Sequence, residues 1–162
     1  MDSLQFTIQE YSKELKKGHI QKAYKGIINF MSDLRTCFSN LDPDYTVGAL
    51  YYGYMDMTYF ACTPPALKNR KLKIAIVYLH EECRFEVWLA GNNRQVQAEY
   101  CERLGRTNLG KYNLSQISPG VDSIIAAPVV EQPDFDNLDA LMKQIREKTE
   151  EFNEDISKIL EQ

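Results

Sequence analysis

The sequence lacks the features that would assign it to several large classes of protein. No apolar run approaches the roughly 18 residues of a membrane span. The first residues are charged and amphipathic, unlike the apolar core of an export signal. Glycine and proline are also scarce, with 8 and 6 in 162 residues, which excludes collagen-like and low-complexity chains. We therefore expect a cytoplasmic protein with no membrane partner.

Motifs for metals and cofactors are absent as well. The cysteines form no C-x-x-C pair and no histidine lies at ligand spacing from them, so a structural zinc site has no support. The chain contains no phosphate-loop, G-x-G-x-x-G, G-x-S-x-G or H-E-x-x-H pattern. We expect no cofactor, no metal, and four reduced, mostly buried thiols at Cys37, Cys62, Cys83 and Cys101.

Positive charge is not in excess. The chain has 19 basic and 23 acidic residues, a formal net charge of −4, which argues against a nucleic-acid partner. Residues 1–130 hold 15 bases and 13 acids, whereas residues 131–162 hold 4 bases and 10 acids. The acidity therefore belongs to the C-terminal segment.

What the sequence does contain is helical periodicity at both ends. Leu4, Ile8, Tyr11 and Leu15 predict an amphipathic helix that ends at Gly18. A second apolar stripe over residues 20–38 predicts a helix that stops at the turn-rich residues 40–44, so the two form a helical hairpin. A shorter helix is predicted to end near Gly105, after Val96, Tyr100 and Leu104.

The last predicted helix begins after Pro133, with Asp134 or Asp136 as its N-cap. Its narrow apolar stripe repeats every seven residues on an otherwise acidic helix. The rest of the domain can cover this stripe. The alternative is an interaction domain that forms a two-fold homodimer through the helix.

The middle of the chain is rich in tyrosine and β-branched residues, which predicts strands. Residues 48–63 form a long strand bent near Gly53, residues 72–80 and 83–90 form a hairpin that turns at Glu81-Glu82, and residues 121–127 form a fourth strand that ends at Pro128. We predict one α+β domain over residues 1–162, with a mixed, mainly antiparallel sheet of about four strands. The N-terminal helical hairpin and the long C-terminal helix cover one face of that sheet.

Several sequence blocks occur together in one order, over nearly the whole chain. They are QKAYKG at 21–26, YYGYMDMTYF at 51–60, RFEVWLAG at 84–91 followed by QVQ at 95–97, GVDSII at 120–125 and PDF at 133–135. In these blocks the chain resembles an uncharacterised prokaryotic family of small cytosolic proteins, a domain of unknown function. The resemblance implies no activity, and no catalytic residue can be carried over from it.

The hairpin carries the main functional hypothesis. Its register places Leu79 opposite Arg84, Val77 opposite Glu86 and Ala75 opposite Trp88 on one side of the sheet, with an apolar set on the other side. The long strand adds either Tyr52, Tyr54, Asp56 and Thr58 or the alternate residues to the polar side. An aromatic floor with a few charges suits a small polar or anionic ligand. The predicted ligand-binding residues are Arg84, Glu86, Trp88, Tyr54 and Asp56.

Each of these features also has a simpler interpretation. Arg84 and Glu86 can form a solvated ion pair on an outward face. Gly91, Asn92 and Arg94 follow a strand and open a helix, which is typical of an anion site but also of an ordinary cap at Asn93. The basic residues Lys68, Arg70, Lys71 and Lys73 are expected in a solvated loop.

An enzyme is the second hypothesis. It would use Asp56 and Glu86 as an unrecognised acid-base pair, although an ion pair of either with Arg84 is the competing use. His80 and Cys83 flank the predicted turn, where side chains point into solvent and no partner orients the imidazole. The ligand, any reaction and the oligomeric state stay open at this point.

Overall fold

The computed structural model describes all 162 residues and contains five helices and five strands. The short α3 and the two-residue β1 were not predicted from the sequence. The helices are α1 (Leu4–Lys16), α2 (His19–Leu41), α3 (Pro65–Lys68), α4 (Arg94–Leu104) and α5 (Leu138–Leu160). The strands are β1 (Thr46–Val47), β2 (Met57–Thr63), β3 (Leu72–Leu79), β4 (Arg84–Gly91) and β5 (Ser123–Val130).

The five strands form one antiparallel sheet in the order β1-β2-β3-β4-β5. The predicted α+β class is confirmed, with five strands rather than four. The long strand predicted over residues 48–63 is divided, because Gly53 and Met55 adopt positive φ angles of 75° and 64° that break the ladder. Met57–Thr63 forms β2, and the first part of the predicted strand folds back on it: Tyr51 is bridged to Tyr59, and the Gly48 N–H donates to the Ala61 carbonyl oxygen.

The sequence predicts that β5 ends at Pro128, but the strand continues to Val130. Proline lacks the N–H that an interior strand needs, yet β5 lies at the edge of the sheet, where one side of its backbone has no strand partner. Pro128 pairs with Glu86, and the register of the β4–β5 ladder shifts there, between Phe85 and Glu86.

The hydrophobic core lies on one face of the sheet, which we call the inner face. It carries the apolar set expected from the hairpin, and every member is buried: Ile74, Ile76, Tyr78, Phe85, Val87 and Leu89. α2, α4 and α5 contribute buried side chains to the same core, and Leu67 of the short α3 joins them. We call the opposite face the outer face; Ala75, Val77 and Ala90 are buried there but do not belong to this core.

α1 and α2 form the predicted helical hairpin, joined at Gly18 with φ of 81°. Only α2 packs on the sheet, through Phe30, Met31, Leu34 and Phe38. α1 has no buried residue. Its apolar residues remain exposed to solvent: Leu4, Phe6, Ile8 and Tyr11.

α5 starts at Leu138, and its N-cap is Asn137 rather than Asp134 or Asp136. The Asp134 carboxylate instead accepts the N–H of Asp136, which makes a turn before the helix. The apolar stripe of α5 packs into the core of its own chain, with Leu141, Ile145, Phe152 and Ile156 buried. None of the helices combines the length and apolar character that a membrane crossing needs.

Substitution of one buried and one exposed phenylalanine tests whether α5 belongs to the core while α1 does not. We expect Phe152→Ala to lower the free energy of unfolding by about 3–5 kcal/mol, because it leaves a cavity in the core. Phe6→Ala is the matched control, since Phe6 is 45% exposed on α1, and we expect a change within about 0.5 kcal/mol. Urea denaturation measures both, and equal losses in the two variants would contradict the one-sided core.

Candidate functional site

The outer face has the register that the sequence predicts. In the β3–β4 ladder, Leu79 pairs with Arg84, Val77 with Glu86 and Ala75 with Trp88. Arg84, Glu86 and Trp88 therefore lie on one side of β4 at alternate positions. The structure brings these three predicted site residues together.

Glu86 is the centre of this group. Its carboxylate accepts a hydrogen bond from Arg84 Nε at 2.7 Å and another from the Trp88 indole N–H at 2.8 Å. The side chain of Glu86 is only 8% exposed, whereas that of Arg84 is 39% exposed. A buried carboxylate needs hydrogen-bond donors to compensate for its lost hydration. Arg84 donates to Oε2 of Glu86 and Trp88 donates to Oε1. The result is an indole ring held in a defined orientation.

Small residues surround Trp88 on the neighbouring strands. Ala75 of β3 and Ala126 of β5 are its direct partners, and Ala61 of β2 continues the same row. Methyl side chains on both sides leave space above the sheet next to the large indole. A cleft with a volume of about 260 Å³ occupies this space and is lined by Trp88 and Tyr59 among others.

The other end of the same cleft is the turn between β4 and α4. Gly91, Asn92, Asn93 and Arg94 all line it. Gly91 is required by close packing, because a Cβ atom there would lie 2.7 Å from the backbone nitrogen of Gln97. Two features that the sequence suggested separately, the Trp88 face and the turn at 91–94, thus meet in one cleft.

Asn93 is the N-cap of α4, and its side chain accepts the N–H of Val96 at 2.9 Å. Arg94 is held by other groups of the chain. Its guanidinium lies 3.1 Å from an Asp122 carboxylate oxygen and donates to Gln97 Oε1 and to the carbonyl oxygen of Val121. The cap interpretation is therefore correct for Asn93, and the Arg94 charge is largely compensated by Asp122.

Lys73 supplies the uncompensated charge of the cleft. It lies on β3 opposite Ala90, half-buried, and forms no salt bridge. The sequence predicts Lys73 both in a solvated basic patch and in the strand over residues 72–80; in the structure it is the second residue of β3 and faces outward beside Trp88. The alternation of β3 would have identified it, since Lys73 and Ala75 must share a face.

Tyr54 and Asp56 do not join the group. Tyr54 is 90% exposed, and Asp56 lies in the loop before β2, where its carboxylate accepts the Tyr54 N–H at 2.9 Å. That bond, with a second from the Met57 backbone, holds the pKa of Asp56 below its usual value. Because the loop interrupts the predicted strand, β2 begins only at Met57, and the alternation of its side chains between the two faces is counted from there. Met57 and Tyr59, from the alternate set, line the cleft instead.

Tyr59 forms the wall opposite the turn. Its ring packs against Tyr51 with centroids 5.0 Å apart, and the two residues exchange backbone hydrogen bonds. Burial raises the pKa of the Tyr59 phenol, and Tyr51 and Asp122 add to the rise. The phenol of this cleft-lining residue therefore stays protonated at neutral pH.

The predicted acid-base pair has no support from these contacts. Asp56 bonds to its own loop, and Glu86 bonds to Arg84 and Trp88. Each carboxylate therefore has its own structural partners. The two carboxylates therefore do not form a pair with each other.

His80 lies in a separate polar cluster at the end of β3. Its Nε2 is 2.8 Å from the Thr58 hydroxyl, which itself donates to the carbonyl oxygen of Tyr52. The imidazole stacks on Tyr24 and meets the edge of Tyr78, whose hydroxyl donates to Cys83 Sγ at 3.4 Å. Thr58 rather than Cys83 is thus the hydrogen-bond partner of His80.

Comparison with known proteins gives one match. A family model described as Domain of unknown function (DUF7000) matches residues 4–160. No curated protein and no solved structure matches the chain.

Substitution of Glu86 tests its role as the shared acceptor. We expect Glu86→Ala to lower the free energy of unfolding by about 1–3 kcal/mol, because the Trp88 N–H and Arg84 Nε lose their partner. Glu86→Gln keeps one oxygen acceptor and should lose less. Urea denaturation followed by the fluorescence of Trp88, the only tryptophan, measures both. Wild-type stability in Glu86→Ala would refute the role.

His80 makes the free energy of unfolding depend on pH. Burial lowers the pKa of His80 from the ordinary value of 6.5, and the charge of Asp56 only partly opposes this. Below about pH 6.5 the unfolded chain takes up a proton at this residue that the folded chain does not, so stability falls as the pH drops. Above that pH both states are neutral and the effect vanishes.

We therefore expect His80→Gln to weaken the loss of stability between about pH 7 and pH 5. His19→Gln is the matched control, because His19 is exposed at the start of α2. Denaturant midpoints across this range give the measurement. The assignment fails if His80→Gln retains the wild-type pH dependence.

Proposed function

Because the chain belongs to the DUF7000 family, a domain of unknown function, we propose its role from the cleft beside Trp88: it binds a small ligand that joins a planar ring to an anionic group. The observation that carries this proposal is the meeting of an indole face and an unpaired lysine in one cleft.

The ring would stack on Trp88. The bond from its indole N–H to Glu86 fixes the ring plane in advance, so little side-chain freedom is lost when a ligand binds. Aromatic pairs of this kind contribute about 0.5–1.5 kcal/mol beyond the area they bury. Ala75 and Ala126 on the adjacent strands leave the indole accessible.

The anionic group would lie toward Lys73 and the first turn of α4. Among the lining residues Lys73 and Arg94 are positive and Asp122 is negative, so the cleft carries one net positive charge. The N-terminus of α4 adds a partial positive charge from its helix dipole, and its first turn lines the same cleft. These charges favour a carboxylate or a phosphate.

Binding can be tested through the fluorescence of Trp88. We propose titration with a panel of nucleoside monophosphates and aromatic carboxylates, with the uncharged rings and inorganic phosphate as half-ligands. A compound carrying both parts should quench saturably and bind more tightly than either half. At a hundred times its Kd it should also stabilise the fold by about 2.7 kcal/mol.

Matched variants then locate the site. Lys73→Gln should weaken binding of such a compound by roughly tenfold, since a charged hydrogen bond is worth about 1.5 kcal/mol or more. Lys71→Gln makes the same charge change on an exposed residue outside the cleft and should leave the affinity unchanged. Equal affinities in the two variants, or no binding across the panel, would refute the proposal.

A further inference from the structure

The N-terminal helix α1 carries an apolar stripe that its own chain leaves largely exposed. Leu4, Ile8 and Tyr11 are 76%, 46% and 55% exposed. Leu15, the last residue of the stripe, is half-buried next to the turn into α2. Within α2 itself, buried side chains begin only at Phe30. α1 therefore lies outside the core, with most of its stripe in water.

α1 differs in this respect from the other helices. Of the five helices it alone has no buried residue. The sequence left open a homodimer through the stripe of α5, but that stripe packs into the core of its own chain. The helix with a free apolar face is thus α1.

The spacing of the α1 stripe is the same when it is read in either direction. Leu4, Ile8, Tyr11 and Leu15 follow one another at intervals of four, three and four residues. Alternating intervals of four and three are those of a coiled-coil seam. If two copies of α1 run antiparallel about a two-fold axis, Leu4 faces Leu15 of the second copy, and Ile8 faces Tyr11 of the second copy. The stripe is therefore complementary to itself.

The charges at the two ends of α1 suit the same arrangement. Asp2 precedes the helix and Lys16 ends it, and neither takes part in a salt bridge. Glu10 and Glu14 already form ion pairs with lysines of their own copy. Antiparallel pairing brings Asp2 close to Lys16 of the second copy and opposes the two helix dipoles. The unpaired charges of one copy thus meet opposite charges on the other.

The balance of charge argues against a membrane surface as the occupant of the stripe. Residues 1–17 contain three acidic residues and three lysines. Amphipathic helices that lie on anionic membranes carry an excess of basic residues on their polar face. A stripe that is complementary to itself, on a segment with no excess of basic residues, favours a second copy of the chain.

The exposed area fits a weak dimer. Taking about 200 Å² for a fully exposed large side chain, the exposed fractions of Leu4, Ile8 and Tyr11 give roughly 350 Å² of apolar surface on each copy. Two copies together therefore cover roughly 700 Å², and the polar side chains beside the stripe bring the total to about 1,000 Å², the lower end for a specific interface. We expect a dissociation constant of roughly 10–100 µM.

We propose that two copies of the chain associate through α1, as an antiparallel pair of helices about a two-fold axis. Ile8 packs against Tyr11 of the second copy at the centre, and Leu4 packs against Leu15 of the second copy at each end. No residue of α1 belongs to the hydrophobic core, so each copy folds with or without the contact.

Sedimentation equilibrium of the full chain, from about 1 to about 500 µM, tests the proposal. The wild type should show a reversible monomer–dimer equilibrium. Ile8→Glu should weaken it at least tenfold, because each copy then places a carboxylate in the apolar seam. Gln9→Glu is the matched control, since it adds the same charge at the next exposed position of α1, on another face of the helix. It should dimerise as the wild type does.

Thermal unfolding at about 1 µM, where the chain is monomeric, checks that the variants fold. Ile8→Glu and Gln9→Glu should both keep the wild-type midpoint, because neither position is buried. A loss of dimer in Ile8→Glu then reports on the contact and not on the core.

A mixture of two variants tests the antiparallel register. Ile8→Glu and Tyr11→Lys should each associate weakly alone. In a mixed antiparallel pair, one central contact joins the introduced carboxylate to the introduced ammonium, and the other keeps isoleucine against tyrosine. The mixture should therefore associate at least tenfold more tightly than either variant alone. No gain on mixing would refute this register, because a parallel pair sets each residue beside its own copy.

Three further outcomes overturn the proposal. One is a wild type that stays monomeric at about 500 µM, including one that instead sediments with phosphatidylserine vesicles, which would assign the stripe to a membrane surface. Equal weakening in Ile8→Glu and Gln9→Glu would show that added charge alone reduces association. Growth beyond the dimer would show an open, head-to-tail contact in place of a two-fold one.

Discussion

The constraint on which the rest of the structure depends is that the hydrophobic core lies on one face of the sheet. Side chains of a strand alternate between faces, so the apolar set of β3 and β4 that faces the helices commits its neighbours to the outer face. Ala75, Glu86 and Trp88 are placed there by their positions relative to Ile76 and Val87. The candidate ligand site is thus a direct consequence of how the core is built.

Two features of the site were predictable because they depend on local pattern. The β3–β4 register follows from strict alternation around a short turn, and the sequence alone therefore places Arg84, Glu86 and Trp88 on one face. The helices were predictable for the same reason, since their apolar stripes repeat with helical spacing. The sequence also predicts β5 but places its end at Pro128. The strand continues to Val130, because an edge strand tolerates a proline that an interior strand does not.

What could not be predicted depends on where a ladder breaks and on what the tertiary fold brings together. The positive φ angles of Gly53 and Met55 leave no periodic signal, so Tyr54 and Asp56 were assigned to a strand that starts only at Met57. Lys73 and the turn at 91–94 share a cleft with Trp88 only because the strand ends adjoin.

The exposure of α1 has a consequence for the thermodynamics of the whole chain. This helix of 13 residues has no buried side chain, and isolated helices of that length are marginal in water. Its hydrogen bonds are therefore stabilised by little beyond local terms such as the Ser3 cap and the ion pairs of Glu10 and Glu14. We therefore expect α1 to open as a cooperative unit of its own, at a free energy far below that of global unfolding, and to exchange its amide hydrogens while the core stays closed.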